Sequence, residues 1–292
     1  MAAPVPQDAL DYFNAKQLKP SFDYRDVWRE EHALNFTVAK AMQLDILQDI
    51  QQAVASAIAE GKTFAKFQSE LSDILVDKGW WGKHKITDPL TGKTKLVELG
   101  SPRRLKIIYD SNLRTARAAQ KWQLIQRTKQ TMPYLLYQLG PSAKHRDAHV
   151  AINNTLLPVD DPFWGIYYPP NGYGCKCWVR QIGNHEYESL AGNGDYNTES
   201  PPIEYEDWLN KRTGEIEKVP KGVQPGWDTN PGIARKATLD KLLAEKTKTS
   251  TRMTDKLMQS LTALRDNIKQ TVKAGLKQAL RDLAKVINPL SK

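Results

Sequence analysis

The sequence predicts an α+β protein: a mainly helical N-terminal half, a small β-rich unit holding Cys, His and Trp residues, and a basic helical C-terminal tail. Three observations predict it. Apolar residues recur at steps of three and four through most of residues 32–130. Residues 132–232 are instead dense in Pro, Gly, aromatics and turn signals. Residues 233–292 contain no aromatic residue and no histidine, and hold 14 Lys and Arg against 5 Asp and Glu. That last stretch accounts for the whole net charge of +9, so the rest of the chain is neutral. The divisions expected are an N-terminal arm at 1–30, a body at 31–232 (helical over 31–131, β-rich and loop-rich over 132–232), and a basic amphipathic tail at 233–292.

In order along the chain, Pro4, Pro6 and Pro20 mark the first 30 residues as an arm with short structured pieces. From His32 to Glu60 the stripe Phe36, Val38, Met42, Ile46, Leu47, Ile50, Val54 and Ile58 predicts one long amphipathic helix stopped by Gly61. Thr63 caps a second helix with Phe64, Phe67, Leu71 and Leu75 inward, ended by Gly79-Trp80-Trp81-Gly82. The turn signal Thr87-Asp88-Pro89-Leu90-Thr91-Gly92 predicts a hairpin between Lys83 and Gly100. Ser101-Pro102 reads as an N-cap with Pro at the first helical position, opening a third helix to about Gln130. Its many Arg and Lys residues fit a solvated face and a functional patch equally. A short strand follows at 134–139, then a helical turn near 145–152 and a strand near Cys175 to Gln181. Residues 184–231 read as loop. In the tail, Leu257, Leu261, Leu264, Ile268, Val272, Leu276, Leu280, Leu283 and Ile287 form one apolar seam that needs a covering surface.

No run approaches the roughly 18 apolar residues of a membrane span, and the N-terminus lacks a secretory signal, so synthesis ending in a cytosol is expected. The two cysteines, Cys175 and Cys177, are too close in sequence for an unstrained disulfide. With His145 and His149 they make a competent tetrahedral zinc set: i, i+4 histidines share a helix face and i, i+2 cysteines share a strand face. Zinc so bound would be closed and structural. The competing reading is that His149, Trp164 and the cysteines pack and hydrogen-bond to pin a loopy segment. Arg146, His149 and Asp161 also permit a nuclease-like reading, with His as base and Arg as phosphate clamp, but no metal-holding carboxylate cluster accompanies them. Nucleotide-binding glycine patterns are absent, since Gly172-Tyr173-Gly174 lacks a following helix and lysine. In the tail, Lys269, Lys273, Lys277, Arg281 and Lys285 step by four and are the candidate contacts to duplex DNA, held by charge without reading sequence. The rival is a helix whose seam docks on a protein.

Several stretches together resemble the phage Mu protein F-like head morphogenesis family, over roughly residues 20–232. They are Phe36-Thr-Val-Ala-Lys-Ala41, Gly79-Trp80-Trp81-Gly82, Gly100-Ser-Pro-Arg-Arg-Leu105, Ile108-Tyr109-Asp110-Ser111-Asn112-Leu113 and Ala118-Ala119-Gln120-Lys121-Trp122. Further on come Arg146-x-x-His149, Asp161-x-x-Trp164, Pro169-Pro170-Asn171-Gly172-x-Gly174-Cys175-x-Cys177 and Gly226-Trp227-Asp228-x-Asn230-Pro231-Gly232. Asp147 stands where the family has proline, and Asn153-Asn154 where it usually has Asp-Gly. The resemblance carries three of the four ligands, His149, Cys175 and Cys177, and makes Arg146, Asp161 and Trp164 structural motif residues. The fourth ligand is then His145, Asp147, Asp161 or His185. The resemblance implies a non-enzymatic virion component in the head or head–neck region, made in host cytoplasm. Its implied partners are the portal or major capsid protein and packaged double-stranded DNA, with no membrane. The alternative is a DNA-processing enzyme using the His/Cys unit.

Overall fold

A computed structural model describes residues 7–235 and 251–287. The chain divides into two units, residues 1–238 and 239–292. The first is α+β. Helix α1 (Gln7–Asn14) buries Ala9, Tyr12 and Phe13, and Phe13 meets Phe36 edge-on at 5.4 Å. The residues predicted as an arm therefore supply part of the first core. Strand β1 (Gln17–Leu18) pairs in parallel with β2 (Asn35–Phe36), beyond the short helix α2 (Glu31–Leu34).

The long helix predicted from His32 begins only at Leu44: α3 is Leu44–Glu60. Residues 35–43 are extended instead because their backbone is engaged sideways. Lys40 has φ 69°, the Ala39 carbonyl accepts from Arg104, and the Lys40 carbonyl accepts from the Trp80 indole at 3.0 Å. A helix there would take those carbonyls for its own ladder. Gly61 ends α3 in the left-handed conformation, donating to the Ala57 carbonyl. Thr63 caps α4 (Phe64–Asp77), accepting from the Lys66 N–H. The hairpin β3 (Lys83–Thr87) and β4 (Thr94–Glu98) pairs as the turn signal predicts.

Helix α5 (Pro102–Thr128), opened by the Ser101 cap, is the spine. At about 1.5 Å per residue it spans about 40 Å. Leu105, Ile108, Leu113, Ala116 and Ala119 enter a first core with α1, α3 and α4. Trp122 and Ile125 enter a second, with Leu135, Tyr137, Phe163, Trp164 and Tyr168. That second core lies under a three-stranded antiparallel sheet, order β6–β5–β7, made of β5 (Tyr134–Gln138), β6 (Leu156–Pro158) and β7 (Trp178–Ile182). Leu135, Leu136 and Tyr137 are all buried, so both faces of β5 are covered.

Helices α6 (Asp147–Ala151) and α7 (Phe163–Ile166) flank the sheet. Strand β7 starts at Trp178 rather than Cys175: the Cys175 N–H closes a turn on the Gly172 carbonyl and keeps residues 175–177 in a loop. The stretch predicted as loop over 184–231 contains α8 (Asn184–Ala191) and a hairpin of β8 (Tyr205–Leu209) and β9 (Ile216–Pro220). That hairpin exposes Tyr205, Leu209 and Ile216 beside the Asp207–Lys218 ion pair and is held by Trp208 stacked on Trp28 at 5.3 Å, a distant contact that local periodicity does not reveal.

The second unit contains a helix at Thr251–Ile287. Leu261, Leu264, Val272, Leu276 and Leu280 of the predicted seam are exposed on it, as are Lys269, Lys273, Lys277 and Arg281. Lys285 lies on the same helix, its side chain outside the described residues; the tail reading for 236–250 and 288–292 is likewise outside them. Among the described residues no helix is long and apolar enough to cross a membrane.

Candidate metal centre

The sheet brings three predicted ligands together. Helix α6 follows β5 and carries His149 to the mouth of the loop that precedes β7. The donor atoms of His149, Cys175 and Cys177 all lie within 4.8 Å of one another. His149 Nδ1 is 3.4 Å from Cys177 Sγ and 4.0 Å from Cys175 Sγ. A tetrahedral zinc with Zn–S about 2.3 Å and Zn–N about 2.0 Å needs S···N edges of about 3.6 Å. The two observed distances bracket that edge.

The imidazole is oriented from behind. Its Nε2 is 3.0 Å from the Gly222 carbonyl, which can only accept, so Nε2 donates there and Nδ1 is the ring nitrogen left facing the sulfurs. Gly222 has φ 86°, and a Cβ there would sit 2.8 Å from Ala148 Cβ, so only glycine presents this carbonyl without strain. On the other side Gly140 lets the end of β5 lie against the Lys176 backbone, between the two cysteines.

His149 is 3% and Cys175 4% exposed, while Cys177 is half-buried. The thiols are electrostatically unlike. A hydrogen bond from Cys175, opposed by burial and aided by His149 and Tyr137, holds Cys177 below the ordinary thiol range. Cys175 is pushed up by Cys177 and by burial. Burial and the adjacent cysteines push the Tyr137 phenol up as well, and it donates to buried Asn171 Oδ1 at 3.2 Å. One site thus offers two cysteine sulfurs and an imidazole nitrogen, the donor set soft divalent metals prefer.

His145, Asp147, Asp161 and His185 do not join the three donors among the described residues. Asp161 instead accepts from the Phe163 N–H at 2.8 Å, starting α7, and from Ser200 Oγ at 3.1 Å. Trp164 is fully buried with its indole on the Pro158 carbonyl at 2.9 Å, and Arg146 donates to the Tyr173 carbonyl at 2.7 Å, tying α6 to the cysteine loop. Sequence reasoning missed Tyr137, Asn171, Gly140 and Gly222. Gly140 as the stop of a strand, Asn171 inside the Pro-Pro-Asn-Gly stretch and Gly222 inside the turn-dense stretch 222–232 each carried a signal; Tyr137 did not.

Cys175 and Cys177 also line a groove of about 310 Å³ whose walls include Arg114, Arg117 and Lys121 of α5. Arg114 and Arg117 have no ion pair among the described residues, whereas Lys121 is spent on the Val179 carbonyl. The DNA candidates Lys269, Lys273, Lys277 and Arg281 are on the helix of the second unit.

Fold and site define an α+β protein with a buried imidazole–dithiol centre that fastens a loop to a small sheet. Residues 48–180 match the family described as Phage Mu protein F like protein, a span from within α3 to within β7 that includes all three donors. Over that span the chain belongs to the Phage Mu protein F like family. A relative in Escherichia phage Mu, named "Putative capsid assembly protein F", is 35% identical over 240 residues, covering 78% of this chain and 54% of the relative. The Mu-like prophage FluMu F protein of Haemophilus influenzae is 31% identical over 226 residues, covering 71% and 52%. The chain therefore spans about half the length of these relatives. No solved structure matches.

Proposed function

We propose that this chain is a minor capsid and head morphogenesis protein of a tailed bacteriophage, working by binding in the head or head–neck region. The observation that supports it most is the 35% identity, over 240 residues, to a relative named for capsid assembly. The body would dock on the portal or major capsid protein. The exposed stripe Lys269, Lys273, Lys277 and Arg281, continued in sequence by Lys285, would hold packaged duplex DNA through counterion release. Assembly would take place in host cytoplasm, with the virion as destination.

The His149–Cys175–Cys177 centre would hold one structural zinc, fixing the loop before β7; the fit of the 3.4 and 4.0 Å distances to a tetrahedral edge supports this. A zinc held by three protein ligands keeps a fourth position, and that position beside a cationic groove favours a second reading, a metal-dependent DNA hydrolase. Against it, no carboxylate joins the donors as a base among the described residues.

Deletion of the gene from the phage or prophage that carries it, with complementation in trans, tests the main reading. Loss of DNA-filled heads, together with the protein found in purified wild-type particles, is expected. Normal infectious heads without the protein would refute it. Elemental analysis should give about one zinc per chain, lost in a Cys175→Ser, Cys177→Ser variant. Metal-dependent DNA cleavage abolished by His149→Ala would establish the hydrolase instead.

A further inference from the structure

A second cavity, lined by neither thiol, has the chemistry of a ligand site. It encloses about 420 Å³, within the range of pockets that hold small molecules. Its walls come from three parts of the chain: the segment from α1 to α2, the middle of α5, and the turns around Tyr173 and Trp227. The aromatic walls are braced from outside. Trp28 stacks on Trp208 at 5.3 Å, and Tyr173 meets Trp227 edge-on at 4.9 Å. A Cβ on Gly226 would come within 3.1 Å of the Trp28 ring, so these walls meet without slack.

The charge of this cavity is one-sided. No Asp or Glu lines it. Arg29, on one wall, is answered by Asp228 at 3.0 Å. Lys16 and Arg104 are not answered. Lys16 is only 9% exposed; its ammonium donates one hydrogen bond, to the His32 carbonyl at 2.6 Å, and lies over the Tyr12 ring. Arg104 donates only to backbone carbonyls of Ala39, Glu98 and Leu99. Neither has an ion pair among the described residues. Burial, with Arg235 nearby, pushes Lys16 down to about 7, and burial pushes Arg104 down to about 10. For Arg104 the Glu98 charge partly opposes this; for Lys16 no anion does. Ser111 and Thr115, one turn apart on α5, line the same space, and their hydroxyls have no hydrogen-bond partner among the described residues.

A buried cation normally has a counter-charge, because an unpaired one costs far more than a paired one. We propose that this cavity binds an organic carboxylate on a flat apolar body: the carboxylate on Lys16, the body between Trp28, Tyr173 and Trp227, and the hydroxyls of Ser111 and Thr115 completing its polar contacts. The same chemistry is offered by a free aromatic acid and by an aromatic C-terminal residue of a polypeptide. The proposal rests neither on a metal at the cysteine loop, which also carries Tyr173, nor on the head-assembly reading.

The test titrates the full chain with 3-phenylpropionate, with N-acetyl-Gly-Phe as its free acid, and with the uncharged amide of each, by calorimetry and by tryptophan fluorescence. At least one acid should bind saturably and about ten- to a hundredfold tighter than its amide, the range of a hydrogen bond to a charged group. Binding of the small acid identifies a free-acid site; binding of the peptide acid alone identifies a polypeptide C-terminus. Lys16→Met, which keeps the length of the side chain, should abolish the acid–amide difference while its circular dichroism stays native. The acid–amide comparison on the unaltered protein stands without that variant. Equal binding of acid and amide, or no saturable binding by either acid, overturns the proposal.

Discussion

Replacing Gly140 with alanine tests whether the end of β5 and the cysteine loop are packed as tightly as the donor geometry requires. A Cβ at this position would lie 1.9 Å from the Lys176 carbonyl oxygen and 2.6 Å from its carbon. Ordinary contact starts near 3.4 Å, so the two backbones must separate by about 1.5 Å. No flexible side chain can absorb that, because the obstacle is main chain. Lys176 lies between Cys175 and Cys177, so the displacement is passed to both sulfurs and opens the 3.4 Å approach of His149 Nδ1 to Cys177. Overpacking of this kind costs about 1–3 kcal/mol. In a domain of this size that lowers the melting temperature by about 3–10 °C, and bound zinc should fall with it. Gly165→Ala is the control: no atom lies within 4 Å of its added Cβ, so stability should hold or rise by up to about 1 kcal/mol. The readouts are calorimetric melting and zinc stoichiometry on the same preparations. A Gly140→Ala protein with wild-type melting and full metal content would refute the reasoning.

Three further outcomes follow from the packing. Arg212 forks onto Asp26 at 2.6 Å and onto both oxygens of Asp88, joining the N-terminal segment, the first hairpin and the last. It holds Asp88 at about 2, below its unfolded value, so the ion pair's stabilisation is complete above about pH 4 and disappears as pH falls toward 2. Arg212→Met should melt lower at pH 7 by scanning calorimetry, with the gap from wild type closing in acid; a gap that persists unchanged would count against the assignment. Buried Asn230 donates to the Trp164 carbonyl at 3.1 Å and accepts from the Gly232 N–H at 2.9 Å. Asn230→Leu strands both groups and should cost about 1–3 kcal/mol in urea unfolding. Burial, with Lys16 next to it, pushes His32 down to about 4. Its folded form disfavours the proton, so the stability it contributes is full above about pH 6.5 and is lost as pH falls to about 4. His32→Gln should flatten that part of the stability–pH curve.

Much of the fold was legible in the residues because local physics decides it. Thr63 and Ser101 are good caps, Gly61 is a good stop, and the steps of α4 and α5 bury one stripe each. Ligand chemistry singled out His145, His149, Cys175 and Cys177 as candidates, because few residue types hold a soft metal, and the family resemblance singled out the last three. Where tertiary contacts outweigh periodicity, the reading failed. Residues 35–43 keep a helical stripe yet stay extended, since Trp80 and Arg104, 40 and 65 positions further along, take the carbonyls of Lys40 and Ala39. The hairpin at 205–220 needs Trp28 from the other end of the chain to hold it.

By itself, then, the sequence determined the helices with clear caps and the neutral body and basic tail, and offered the candidate ligands, because each depends on neighbours within a turn or on side-chain chemistry alone. Only the tertiary structure decided that His145 stands apart from the thiols, that Gly222 turns the imidazole toward them, and that Lys16 faces a cavity without a carboxylate. Those facts depend on groups far apart in the chain meeting at distances of a few ångströms, and no spacing along the chain encodes such a distance.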